Sequence, residues 1–295
     1  MAQEITLSSA TRANLLSLQN TTGLIGRTQE RLATGLKVNS AIDDALAFFK
    51  ARNLNSRASD LSAVKDSILG GISVLKTATQ ALESMESVLK QMKALAQSAI
   101  SAPESSTRAK LASQFNELRS QVDNLAEDAS FAGVNLLKNN TNAFTAGADM
   151  MTVKFNERIE PLGVNQLVVS GLTIADFGSI MANSATATGT GTDVWGVTGV
   201  AATTAITNSI RAIDSALVTV RQAAQAFGTN ASMLQIRADF TTNIINTLKG
   251  GAAELVNADL NEESANLLSL QTRQQLGTIS LGIAQQSEQS ILRLF

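Results

Sequence analysis

The chain has 295 residues and 44% hydrophobic side chains, but only 4% are aromatic, so its core must be packed by aliphatic and small residues. His, Cys and Tyr are absent, which excludes Cys/His zinc sites, thiol nucleophiles, imidazole bases and disulfides. A formal net charge of −2, with 23 basic and 25 acidic residues evenly spread, leaves no basic face for nucleic acid, and no run of ~18 uncharged apolar residues predicts a membrane span.

The first residues, Met1-Ala-Gln-Glu-Ile, lack a basic segment followed by an apolar run. No cleaved secretory leader is expected, so export would need a leaderless route. Residues 5–33 place Leu18, Ile25 and Leu32 seven apart, with Leu15, Leu16 and Leu24 beside them. Gly35 then suits a helix stop, and Asn39, Ser40, Asp43 and Asp44 suit a helix start. The two adjacent carboxylates read as capping charges rather than a catalytic pair.

From Asp43 to Ala99 there is no proline. Leu54, Leu61, Ile68, Leu75, Leu82, Leu89 and Ala96 recur every seven residues, shadowed by Val64, Gly71, Ala78, Met85, Met92 and Ala99. This is a coiled-coil seam, and as one helix it spans roughly 85 Å at ~1.5 Å per residue. After the break at Ser101-Ala-Pro-Glu, a second striped helix carries Leu111, Phe115, Leu118, Val122, Leu125 and Ala129.

Residues 130–205 change character. Met151 to Asn156 and Leu167 to Ile174, punctuated by Pro161-Leu-Gly, read as hairpin strands. Asn183 to Asn208 is rich in Thr, Ser, Ala and Gly around Trp195 and reads as a surface loop. The helical stripe resumes at Ile210, Ile213, Leu217 and Val220 and runs to Leu255, with Gly250-Gly251 marking a bend. Residues 258–292 align Leu260, Leu267, Leu270, Gly277, Leu281, Ala284 and Ile291, interrupted by Gln274 and Glu288.

The fold class is therefore mainly α: a long antiparallel helical bundle or coiled coil, a small β-hairpin region and paired terminal helices. Both end stripes are weak, and isolated helices of that kind are marginal in water. They are expected to stay largely disordered in the monomer and to order on assembly.

Arg31-Leu-Ala-Thr-Gly-Leu-Lys-Val-Asn-Ser-Ala-Ile-Asp-Asp-Ala resembles the N-terminal signature of bacterial flagellins. Ser130-Phe-Ala-Gly-Val-Asn-Leu-Leu resembles that family's Phe-Asn-Gly-x-x-Leu-Leu segment, and Leu267 to Phe295 is similar to its terminal helix. The resemblance covers roughly residues 1–175 and 205–295. It implies a structural filament subunit for motility with no enzymatic activity, no cofactor and no metal.

The same resemblance implies an inner polymerisation domain of residues 1–42 plus 256–295, a rod-like core of 43–175 plus 205–255, and a reduced variable loop at 176–204. The hairpins fall at about 140–175, where the family places part of its supercoil switch. With so short an insert the filament should be thin and smooth. Leu15, Leu18, Ile25, Leu32, Leu260, Leu267, Leu270, Leu281 and Ile291 become the expected polymerisation interface, with Gly35, Asn39, Ser40, Asp43 and Asp44 in the inter-domain loop.

Implied partners are other flagellin subunits, an export chaperone on residues 258–295, and hook-associated and cap proteins. Nucleic acid and membrane are not among them. The implied location is the extracellular filament, reached through the flagellar type III apparatus. The family's site for Toll-like receptor 5 is degenerate here, its counterparts being Lys90, Lys93, Ala94 and Gln114, so weak or absent activation is expected.

Other readings have their own marks. A hook–filament junction protein shares both terminal signatures but does not propagate as a polymer. An amphipathic membrane-active or adaptor protein would concentrate Lys/Arg on a terminal helix, and residues 5–33 hold only Arg12, Arg27 and Arg31. A metalloprotease insert needs a His-Glu-x-x-His helix, and His is absent. The Ser/Thr-rich stretch at Thr186–Thr204 reads as a solvated connector with room for O-linked glycans.

Overall fold

The computed structural model describes residues 9–138, 149–157, 165–172, 195–196 and 200–292, with backbone alone at 10, 200, 201, 288, 289, 291 and 292. Among them are five helices: α1 (Ser9–Thr34), α2 (Ala45–Ser101), α3 (Ser105–Asp128), α4 (Val200–Val256) and α5 (Leu260–Leu292). Two short antiparallel strand pairs complete the described structure, β1 (Ser130–Phe131) with β2 (Val134–Asn135) and β3 (Met150–Lys154) with β4 (Gln166–Ser170). The mainly α expectation is correct. The turn at Pro161, the Ser/Thr-rich stretch before Trp195 and the side chain of Ile291 lie outside the described residues.

The chain divides into two compact units, Ser59–Ile245 and the two ends, Met1–Ala58 with Asn246–Phe295. The boundaries read from the sequence, at 42/43 and 255/256, lie at the α1–α2 connection and at the last turn of α4.

In the Ser59–Ile245 unit the predicted seam is the core. From Leu61 to Ala99 every member of the first heptad series is buried, and so is every member of the second from Gly71 on. The stripe of α4 meets it antiparallel. An added Cβ at Gly71 would lie 3.4 Å from Leu234, Glu86 binds Arg221, and Lys93 pairs with Asp214. Helix α3 contributes Ala112, Phe115, Val122 and Ala126 to the same core. Among the described residues, all the largest fully buried side chains belong to this unit.

The hairpins sit where glycine allows close approach. A Cβ on Gly71 would come within 2.7 Å of the Val153 side chain, and one on Gly171 within 2.6 Å of the Leu136 carbonyl oxygen. Val153 and Met151 of β3 are buried, alternating with exposed Thr152 and Lys154 as a strand with one covered face requires. Asn135 fastens the first hairpin to the end of α3, donating to the carbonyls of Ala126 and Glu127 and accepting from the amides of Leu137 and Lys138.

Two local expectations are corrected. The Gly250-Gly251 pair does not end α4, which runs on to Val256. Two glycines cost roughly 1 kcal/mol each relative to alanine, and a long packed helix carries that. The loop expected to reach Asn208 ends earlier, because α4 starts at Val200, and Ala202, Ala205, Ile206 and Ser209 give it a buried face. Trp195 is likewise no surface residue. It is fully buried with its ring 4.9 Å from Phe115, and its carbonyl accepts a hydrogen bond from Arg108 Nε.

Candidate functional site

No group of His, Cys, Asp and Glu suited to a metal occurs among the described residues, and no described helix is long and apolar enough to cross a membrane. The residues singled out by the sequence gather instead in the unit of the two ends, where α1 and α5 pair antiparallel. Arg31 Nη1 donates to Glu263 Oε1 at 2.8 Å, Gln274 Nε2 donates to Thr22 Oγ1 at 3.4 Å, and Leu18 lies against Gly277.

The expected interface residues take different places in this pairing. Ile25 is buried, and Leu18, Leu32, Leu267, Leu270 and Leu281 are half-buried, while Leu15 and Leu260 are exposed. The stripe expected from the sequence leaves out a second apolar set. In α5, Leu268, Leu276, Ile279 and Ile283 are 59–67% exposed and lie on the side of the helix opposite Leu267, Leu270 and Leu281. In α1, Leu16 and Leu24 are exposed as well. A helix apolar on two opposite sides is built to be covered on both. Plotting residues 260–292 at helical spacing would have shown the second face.

Two elbows join this pair to α2 and α4. Gly35, with φ of +71°, ends α1, its amide bonded back to the Arg31 carbonyl. Asp43 Oδ2 accepts from the amides of Asn39 and Ser40 and from the Ser40 hydroxyl. The Ser40 amide foremost, then its hydroxyl, hold the Asp43 carboxyl below its ordinary range. Asp44 Oδ1 caps α2 by accepting from the Ala47 amide at 2.9 Å.

The second elbow mirrors the first. Asp259 Oδ1 caps α5 through the Asn261 and Glu262 amides. The two elbows are stitched together: Lys37 N donates to the Val256 carbonyl at 2.7 Å, Ala258 N to the Gly35 carbonyl at 2.9 Å, and Leu36 bridges Asn257. The residues predicted for the loop, Gly35, Asn39, Ser40, Asp43 and Asp44, all lie in the connection between α1 and α2.

The receptor counterparts lie in the other unit. Lys93 is tied to Asp214, and Lys90 shares Glu86 with Arg221. Ala94 and Gln114 are exposed. The hydrogen bonds from Lys90 and then Arg221 hold the Glu86 carboxyl below its ordinary range.

A family model described as the bacterial flagellin N-terminal helical region matches residues 5–142, and one described as the bacterial flagellin C-terminal helical region matches residues 210–295. The chain is 33% identical over 295 residues to "Flagellin FljM" of Caulobacter vibrioides, covering 99% of this chain and 98% of that one. It is 28% identical to "Flagellin" of Brucella melitensis, over 100% of this chain and 99% of the relative. To "Flagellin C" of Rhizobium meliloti it is 28% identical over 324 residues, covering 99% of this chain and 98% of the relative.

Proposed function

Because the chain belongs to the bacterial flagellin family, whose members are structural proteins, and is a structural subunit of a flagellar filament, we propose that it polymerises through the outer faces of its terminal helices. One observation carries this reading. Leu268, Leu276, Ile279 and Ile283 form an apolar face of α5 that α1 does not cover. Burying the roughly three-fifths of each side chain that is exposed is worth on the order of 4–8 kcal/mol per subunit, at ~1.5–3 kcal/mol for a fully buried aliphatic side chain. Of the residues expected at the polymerisation interface, Leu18, Ile25, Leu32, Leu267, Leu270 and Leu281 are buried or half-buried in the α1–α5 pair, and Leu15 and Leu260 are exposed and join the outer faces in meeting neighbouring copies.

The test is seeded polymerisation of Ile279→Glu and Leu276→Glu. Both should leave the circular dichroism of the core intact and stop filament growth; filaments extending at the wild-type rate would sink the reading. The relatives described above are named flagellins along their whole lengths, which favours a propagating subunit over a hook–filament junction protein. Wild-type monomer that never extends seeds would reverse that preference.

The route out of the cell belongs to the same proposal. The terminal helices travel unfolded and uncleaved through the flagellar export apparatus, α5 meeting a chaperone on the way. Hook-associated and cap proteins bound the polymer, which is thin and smooth because residues 176–204 are few. Receptor activation is weak, since Lys90 and Lys93 are engaged within the chain and Ala94 and Gln114 offer no charge. Robust activation of a Toll-like receptor 5 reporter cell by monomer would overturn that last point.

A further inference from the structure

A groove of about 290 Å³ runs between α1 and α5, and its walls carry more positive than negative charge. Arg27 and Arg31, four residues apart, share one face of α1, and Arg273 lines the groove from α5. Arg31 is answered by Glu263 at 2.8 Å. Arg27 and Arg273 make no ion pair among the described residues. Glu263 is the single carboxylate among the described wall residues, so three guanidiniums stand against one negative charge. The nearby carboxylates are engaged elsewhere or lie outside. Glu30 accepts from Asn39, Asp259 caps α5, and Glu262 is exposed beyond the walls. Asp43 is bonded to Ser40 and Asn39, and Arg27 is only the last of the influences that lower its carboxyl.

Thr28 is a second, independent sign of a ligand. It lines the same groove and is only 7% exposed. Thr21, Thr22 and Thr34 of α1 each turn the hydroxyl back to the carbonyl four residues earlier. Thr28 makes no such bond, and its hydroxyl has no other partner among the described residues. A buried hydroxyl without a partner is costly, and an anion in the groove would accept its proton. Ser269 adds a hydroxyl from α5.

A carboxylate occupies one guanidinium fork, whereas the oxygens of a phosphate group can take two. The volume lies just below the ~300–1,000 Å³ of ordinary small-molecule sites, which suits a small anion and not a length of chain. We propose that this groove binds a phosphate group, as the free ion or a small monoester, between Arg27 and Arg273 and over the hydroxyls of Thr28 and Ser269. The walls come from both helices, so the site exists while α1 and α5 are paired. The anion therefore stabilises that pairing and leaves the core of the other unit unchanged. The site needs no second copy, and it stands whether or not the chain polymerises.

Calorimetric titration of full-length monomer with inorganic phosphate, at an ionic strength held constant with sodium chloride, should show one saturable site with Kd of about 1 mM or tighter. Arg27→Gln and Arg273→Gln change exposed side chains, so each should fold and weaken binding about tenfold or more. Thr28→Val keeps the volume, removes the hydroxyl and should also weaken it. Amide exchange at saturating phosphate should slow in α1 and α5 and stay unchanged in residues 64–99 of α2. Glycerol phosphate binding more tightly than the free ion would make the ligand a monoester, and equal or weaker binding would make it inorganic phosphate. Absence of a saturable site, or both arginine variants binding as the wild type does, overturns the proposal. So does equal slowing of exchange throughout the chain, which is a general salt effect. Phosphate that alters self-association alone would assign the arginines to an acidic partner and overturns it too.

Discussion

Ala132 and Gly133 make the turn between β1 and β2 with φ of 51° and 85°. Two left-handed residues in a row give the turn twist that a two-residue hairpin prefers, and glycine adopts it freely while alanine does not. Ala132 is exposed, so its methyl gains nothing from packing. Ala132→Asn should therefore stabilise the monomer by about 0.5–1 kcal/mol, since a left-handed L-residue costs ~1–2 kcal/mol and Asn tolerates the region better. Urea unfolding measures it, and a loss of stability would show a packing role for the methyl. Glu86 makes the second prediction at this scale. Its folded carboxyl is held below the ordinary value of 4.5 by Lys90 and Arg221, so its contribution is present above that value and fades as pH falls through the lowered one. Melting temperatures of the wild type should fall more steeply below pH 4.5 than those of Glu86→Gln, and parallel curves would contradict it.

Single caps decide where the helices begin. Asp44→Ala and Asp259→Ala each remove an acceptor for N-terminal amides, and each should cost about 1 kcal/mol as N-cap losses do. Both elbows share backbone bonds between residues 35–38 and 256–258, so the two losses should be non-additive. A double-mutant cycle by chemical unfolding gives the coupling, and strict additivity would show the elbows to be independent. Much of this scale was legible in the sequence, because capping residues and heptads are local signals. Asn39 to Asp44 announced α2, and Leu61 to Ala96 announced its buried face. The start of α4 at Val200 was hidden, because Ala and Thr between 200 and 208 look like loop until Ala202, Ala205, Ile206 and Ser209 have a partner to face. The outer face of α5 was hidden for a different reason. Periodicity picks one stripe per helix, and Leu268, Leu276, Ile279 and Ile283 form a second one whose purpose lies in another molecule.

The two compact units differ in how much core each can call on. Ser59–Ile245 holds all the largest fully buried side chains, from Ile68 and Phe115 to Trp195 and Ile213. Among the described residues of the α1–α5 pair the buried side chains are Thr11, Ile25, Thr28 and Glu263, and the outer leucines and isoleucines face water. Apolar area is the main term opposing conformational entropy, so the paired ends should open at far lower free energy than the core. That difference serves a subunit that must first be extended and later locked in place. Amide exchange on the full chain tests it in two states. In the monomer, α1 and α5 should exchange orders of magnitude faster than residues 64–99 of α2. In the filament the same amides should approach the protection of α2, because neighbouring copies then cover Leu268, Leu276, Ile279 and Ile283. Equal protection of all helices in the monomer would mean that the ends are stable alone. Assembly would then have to be controlled by something other than the ordering of α1 and α5.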